Sequence, residues 1–291
     1  MSRGKAFLWV SAAYVLAGVA ALGTVAFLPV GPDPMVRVAA ADLVATVVVF
    51  VFSVAFGNTS FYDPYWSVAP LVIAPYLWLG YGDGAVPARQ VLVTALVFAW
   101  GLRLTYNWAR GWSGLDHEDW RYVDLRNKTG KAFVVVNFLG LQLFPTVLVF
   151  LGCLSLVPAL VTGDRPLSAL DAVAAVVTGG AVLIEGLADN QLRAFVRSKP
   201  PAGTVMERGL WSWSRHPNYF GEISFWCGLA LFGLAAGGPT PVLLVGPGVM
   251  IALFVGVSVP MMEKRMLARR PGYPEYKRRV SALIPLPPRR A

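Results

Sequence analysis

The stretch Ser214–Glu222, SRHPNYFGE, sets two basic side chains, a proline, an amide, a phenol and a carboxylate directly ahead of the apolar run ISFWCGLALFGLAA. Charge at the mouth of a membrane segment is costly unless it meets a partner. Proline suits the first turn of a helix, so the pattern predicts a helix beginning at about His216. The N–H groups of that first turn and the positive end of its dipole favour an anion such as phosphate. Arg215 beside it can hold a phosphate in bidentate fashion. Asn218 offers an amide and Tyr219 a phenol. Glu222, one turn beyond Asn218, can accept from a ligand hydroxyl or amide.

Three other places set polar chemistry against apolar sequence. In NTSFYDPYW, residues 58–66, Asp63 is the one charge, flanked by Tyr62 and Tyr65 with Trp66 close by. It reads either as an Asp-Pro turn with an interfacial aromatic belt or as a carboxyl–phenol cluster able to give a proton to a substrate oxygen. In WGLRLTYNWARGW, residues 100–112, Arg103 and Asn107 share a helix face and Tyr106 adjoins it. Arg103 either snorkels to the interface or faces a buried polar site, with Trp66 and Trp100 as further substrate-contacting candidates. In EGLADNQLRAFVRSK, residues 185–199, Glu185, Asp189, Arg193 and Arg197 follow one another at i, i+4 and form a polar stripe leaving the membrane. Within a span, an acid such as Glu185 usually faces a cavity or a partner. Arg265, in the basic run after residue 262, adds a cation on the same side; the run by itself reads as a juxtamembrane tail attracted to anionic lipid.

The elements that must position these residues are membrane helices. Of 291 residues, 56% are hydrophobic and 14% charged, with a mean hydropathy of +0.58. About 20 apolar residues cross the hydrocarbon. Eight segments qualify, at roughly 5–28, 38–56, 66–82, 90–108, 133–160, 168–188, 221–237 and 240–262. The third is short and holds Pro70 and Pro75, which predicts a kink or a re-entrant segment. The first lacks a small-residue cleavage pattern before Pro29 and reads as a retained helix.

With eight spans, 21 Lys and Arg residues fall on the side of the termini and three, Arg37, Arg89 and Arg165, on the other. That bias predicts both ends in the cytoplasm of a bacterial inner membrane. The net charge of +9 is then topology and calls for no nucleic acid. Two histidines without neighbouring cysteines argue against a metal site, although Asp116, Glu118 and Asp119 loosely resemble a metal loop. Cys153 and Cys227 lie in apolar runs and suggest no disulfide framework. The loop 113–131 mixes both signs and reads as a folded cytoplasmic cover.

SRHPNYFGE, a two-span hairpin joined by GGPT, and then EKRM and RRPGYPEYKRRVSALIP are similar to the C-terminal half of the steroid 5-alpha-reductase family. The likeness is greatest to its bacterial branch, of the domain of unknown function 1295 type, which the loop RGWSGLDHEDWRY also resembles. It covers about 38–287 and is most specific in 185–222 and 263–285, with 1–37 as an additional N-terminal helix and loop. Sterol reductases and isoprenylcysteine carboxyl methyltransferases carry similar RHPxYxG elements.

The resemblance implies an all-α membrane fold of seven to eight helices around a cytoplasm-facing cavity that holds NADPH, with a cofactor part at 185–285. It implies hydride transfer to the β carbon of an enone in a steroid-like lipid. Asn218, Glu222, Asp189 and Arg197 match cofactor-contacting positions, and Asp63 falls near the catalytic Glu. Two departures stand out: Glu185 replaces an Asn, and Trp100 falls where the catalytic Tyr is found. Indole donates a hydrogen bond but is no acid, so Tyr65 or Tyr106 is expected to supply the phenol beside Asp63. The rival readings are methyl transfer from S-adenosylmethionine to a lipid or thiol on the same fold, and a non-catalytic lipid-binding protein. No obligatory protein partner is evident.

Overall fold

The computed structural model describes residues 1–27 and 33–289. Leu28, where the first expected span ends, Pro29 and Arg290 lie outside the described residues. Among the described residues there is no strand; Ser214 and Ser281 make an isolated parallel bridge. The helices are α1 (Arg3–Phe27), α2 (Pro34–Ala55), α3 (Tyr65–Tyr81), α4 (Pro87–Gly111), α5 (Trp120–Thr129), α6 (Phe133–Val136) and α7 (Phe144–Cys153). They continue with α8 (Ala169–Arg197), α9 (Pro217–Ala235), α10 (Thr240–Leu253), α11 (Val259–Arg269) and α12 (Tyr273–Arg279). Each apolar segment expected from the sequence falls on helix.

Local chemistry sets the helix starts. Pro34 opens α2, and the Asp33 carboxylate accepts from Met35 N at 2.8 Å. Ser168 and Asp171 close a capping box on α8. Wide π turns at Asn137–Leu143 and Phe254–Ser258 precede Pro145 and Pro260. A proline inside a helix lacks the N–H for the i−4 bond and crowds that carbonyl, and a widened turn accommodates both.

Among the described residues, five helical stretches are long and apolar enough to cross a membrane: Arg3–Phe27, Pro34–Ala55, Trp120–Thr162, Ala169–Arg197 and Thr240–Arg269. At about 1.5 Å per residue, the 17 residues of α3 reach only about 25 Å, short of the hydrocarbon thickness. α3 runs unbroken through Pro70 and Pro75. α4 is of full length but carries Arg89, Gln90, Arg103 and Asn107. The outward faces of the apolar stretches are themselves apolar, with Leu8 70% and Val176 74% exposed. Such faces suit lipid, as an integral membrane protein built of helices requires.

The chain folds as two units. One comprises Met1–Gly82 and Val97–Leu154; the other comprises Asp83–Leu96 and the chain from Ser155 onward. In the first, α1 presents Ala6, Val10, Ala13 and Ala17 to Ala45 and Val49 of α2, and the same cluster takes in Phe61, Tyr62, Tyr65 and Trp112. That spacing is one helix face, and its small residues let the backbones approach.

In the second unit, α8 and α9 are the closest pair. A Cβ on Gly228 would lie 2.1 Å from Thr178 Oγ1, and one on Gly221 would lie 2.8 Å from Glu185 Cβ. Arg89 is fully buried there, with Nε 2.7 Å from Asp171 Oδ1 and Nη2 3.1 Å from Oδ2. A bidentate pair of this kind satisfies both charges where water is excluded.

Gly228→Val should overfill the α8–α9 contact and cost about 1–3 kcal/mol. Gly248→Ala, with open space around its Cβ, should be neutral or slightly stabilising. Thermal unfolding in detergent checks both; equal midpoints for the two variants would contradict the packing described.

Candidate functional site

The SRHPNYFGE motif belongs to the second unit. His216 caps α9 and Pro217 opens it, as the motif predicts. The Arg215 guanidinium turns to the C-terminal segment. Its Nε lies 2.7 Å and its Nη2 2.5 Å from Glu263 Oε1, and Nη1 donates to the carbonyls of Lys277, at 3.1 Å, and Val280. Glu263 also meets Lys277 Nζ at 2.6 Å, and His216 Nε2 stands 3.8 Å away. Arg215 N donates to Ser281 O at 2.8 Å, and Ser214 Oγ to Leu283 O at 2.7 Å. Four of the five N–H donors of Arg215 are thus engaged inside the protein, which differs from the phosphate contact expected of it. Its work here is to weld the start of α9 to the segment Lys277–Leu283.

The remaining motif residues lie on α9, against α8 and the second π turn. Tyr219 stacks on His216, with ring centroids 5.2 Å apart, and meets Phe254 of the π turn in a tilted contact at 4.8 Å. Asn218 Nδ2 lies 3.5 Å from Asp189 Oδ1, so two residues expected to contact a cofactor come together from α9 and α8. Glu185, one turn before Asp189, is buried behind Gly221. Glu222 is buried and accepts from Trp226 Nε1 at 2.8 Å. Carboxylates at three of these positions and an amide at the fourth can accept from ribose hydroxyls and a carboxamide. Arg193 is half-buried on the same helix and Arg197 is exposed at its end. Arg265 lines a cleft with Lys199, Arg269 and Arg270. Among the described residues, no three His, Cys, Asp or Glu side chains group as a metal ion needs.

Asp63 belongs to the first unit, in the turn between α2 and α3. The phenol that reaches it is Tyr122 of α5, donating to Asp63 Oδ1 at 2.7 Å. Tyr65 instead donates to Asp42 Oδ1 at 2.6 Å, and Tyr106 is 64% exposed with Arg110 over its ring. The pairing of Asp63 with Tyr65 or Tyr106 expected from the sequence is therefore replaced by one with a residue not singled out there.

The loop after α4 brings Tyr122 in. Asn58 Nδ2 donates to the carbonyls of Leu115 and His117, at 2.9 and 3.1 Å. The Glu118 carboxylate accepts from Thr59 N at 2.7 Å and from Arg126 at 2.8 Å. Asp119 caps α5 by accepting from Arg121 N at 2.8 Å. Two of the three loop acids are thus spent on fixing the loop. Burial pushes the Asp63 carboxyl up to about 6; the hydrogen bonds from Tyr122 and Ser60 oppose the rise, and the Asp119 charge adds to it.

Of the substrate-contacting candidates, Trp66 and Trp100 meet edge to face at 6.1 Å, with Trp100 fully buried. Asn107 Oδ1 accepts from Arg110 at 2.8 Å, one turn beyond half-buried Arg103.

The family described as "Protein of unknown function (DUF1295)" matches residues 49–280. An uncharacterised protein of the yeast Schizosaccharomyces pombe is 26% identical over 254 residues, covering 78% of this chain and 73% of its own length. No solved structure matches. The match spans most of the chain, including both sites described above, and the chain belongs to the DUF1295 family.

Removing one partner from a buried ion pair costs about 3–5 kcal/mol. Glu263→Ala should therefore lower the unfolding midpoint and open the segment after residue 270 to protease, while Lys264→Ala on the exposed face should do neither; limited proteolysis checks both. Asp63 carries a pH signature. Its folded pKa is raised, so between 3.8 and about 6 the native state binds more protons than the unfolded chain, and stability falls as pH rises. Going from pH 7 to 5 should raise the unfolding midpoint of the wild type more than that of Asp63→Asn.

Proposed function

We propose that this DUF1295 protein is a membrane-embedded, NADPH-dependent reductase of a conjugated C=C bond in a steroid-like or other lipid enone, of the steroid 5-alpha-reductase branch. The observation that carries the reading is the 2.7 Å hydrogen bond between Asp63 and Tyr122. It is an acid–phenol pair of the kind that polarises an enone carbonyl, built without the tyrosine that the resemblance places at Trp100.

The cofactor's share is a hydride for the β carbon. The chain supplies the rest. With Asp63 protonated, its O–H turns to the Tyr122 oxygen and leaves the phenol proton for the substrate carbonyl. As hydride arrives, the C=C electrons move onto that oxygen, and the pair meets the growing negative charge with a donor already in place. The oxygen returns its proton as the α carbon takes one from solvent. Enone, NADPH and one proton thus give the saturated ketone and NADP⁺. The burial that raises Asp63 to about 6 brings its proton near working pH, where a general acid is most effective. Trp66, half-buried and backed edge to face by buried Trp100, offers an apolar aromatic face for a ring lipid. Asp189 with Asn218, and Glu185 and Glu222 behind them, supply acceptors for ribose and carboxamide, and Arg193 and Arg197 supply phosphate charge.

The topology that goes with this reading has eight spans with both ends in the cytoplasm of a bacterial inner membrane, supported by the distribution of Lys and Arg.

Methyl transfer from S-adenosylmethionine draws on one specific observation. Arg215 is taken up by Glu263, so the motif itself presents one carboxylate, Glu222, and one amide, Asn218, which suit a nucleoside without phosphates.

NADPH fluorescence with detergent-purified protein tests the reading. Binding should weaken at least about tenfold in Asp189→Ala and Asn218→Ala. Asp63→Asn and Tyr122→Phe should keep cofactor affinity and lose about 100-fold or more in kcat against a panel of enone lipids. S-adenosylmethionine binding in place of NADPH moves the protein to methyl transfer. Binding of neither, with lipid still retained, ends the enzymatic reading.

A further inference from the structure

A cleft of about 470 Å³ lies in the second unit where α8 and α11 end. Its lining includes four cations, Lys199, Arg265, Arg269 and Arg270, over the apolar floor of Phe195 and Met266, and no carboxylate. The cleft is built by packing. Arg270 Nη1 donates to Thr204 O, and a Cβ on Gly203 would come within 3.1 Å of the Pro271 ring, which closes the loop 200–203 over one end. Lys199 holds φ at 48°, in the left-handed region, just past the α8 cap at Ser198. Glycine usually fills that position because it does so without strain. Here the chain places a lysine at the rim.

The level of the cleft matters as much as its charge. Ala169–Arg197 and Thr240–Arg269 are both membrane-length, and both end at its edge. At about 1.5 Å per residue both overrun the hydrocarbon by more than about 10 Å, so the four cations lie past its edge, on the headgroup side. Beside them, Val196 and Leu267 are 62% and 45% exposed. Cations gathered at one level, with exposed apolar side chains next to them, match a ligand that is an anion at one end and hydrocarbon at the other.

We infer that this cleft receives the phosphate of an anionic phospholipid, whose acyl chains lie along the adjoining apolar faces of α8 and α11. The site is separate from the residues given to the reductase chemistry, apart from the shared rim residue Arg265, and its test does not depend on that reading. A zwitterionic lipid brings the same phosphate together with an ammonium that the four cations repel, so selection is for net negative charge.

The test uses the full chain in nanodiscs of phosphatidylcholine alone or with added phosphatidylglycerol, reading retained lipid by native mass spectrometry and the unfolding midpoint alongside. Phosphatidylglycerol should be retained over phosphatidylcholine and should raise the midpoint. At about fivefold per cation removed near the surface, Lys199→Gly with Arg269→Gln should weaken retention by about thirtyfold. Lys199→Arg should keep it. The glycine suits the backbone at 199, so the double variant should unfold normally in phosphatidylcholine, which separates lost binding from lost folding. Inorganic pyrophosphate that raises the midpoint as much as the lipid would assign the cleft to a soluble phosphate and overturn the proposal. Undiminished phosphatidylglycerol retention by the double variant would also overturn it, as would a double variant that loses NADPH in place of lipid.

Discussion

The buried pair of Arg215 and Glu263 holds the second unit in register. Two charges removed from water repay their desolvation only when geometry is close and the remaining donors and acceptors are met. Both conditions hold. The guanidinium meets Glu263 at 2.5–2.7 Å and also caps two carbonyls, while the carboxylate takes Lys277 on its other oxygen. One side chain thereby ties the start of α9, the middle of α11 and the segment beyond α12 to a common point. The contacting rings of His216, Tyr219 and Phe254 rest on that arrangement, and Asn218 is aimed at Asp189 because α9 begins where the pair sets it.

The first unit solves a similar problem around an acid. A turn that carries Asp63 between two helices has backbone groups to satisfy and a carboxyl to keep from water. Asn58 and Glu118 satisfy the backbone of each other's segments, and this cross-bracing holds the loop 113–119 against the turn. α5 then starts at Asp119 and delivers Tyr122 to Asp63. The acid is perturbed because its neighbours are chiefly phenol and apolar surface, with Arg121 the modest counterweight. Structural anchoring and chemical readiness come from the same few residues.

Lipid as solvent explains why these polar contacts are concentrated. Hydrocarbon outside the helices removes the ordinary drive to bury apolar side chains, so association rests on close packing of small residues and on well-satisfied polar contacts. Gly221 and Gly228 let α8 and α9 touch; Ala6, Ala13 and Ala17 do so for α1. Arg89 with Asp171 pins the starts of α4 and α8, and its place inside the protein is something that counting charge by loop does not foresee.

Apolar runs, their lengths and their punctuation by Pro, Ser and Asp determined the helices, because each of those signals acts within one element. The opening of α9 at Pro217, the continuous polar stripe on α8 and the closeness of Asp189 to Asn218 were legible for that reason, the last with help from a family likeness. What answers what across the fold was not. Tyr122 is 59 residues from Asp63 and Glu263 is 48 from Arg215. No helical period links residues so far apart, and Tyr65 and Tyr106 were the nearer phenols in sequence. Glu263 belongs to a run that by itself reads as a basic tail. Only tertiary packing decided that the tail folds back, that Arg215 is spent inside the protein, and that the phenol meeting Asp63 is Tyr122 of α5, from beyond α4.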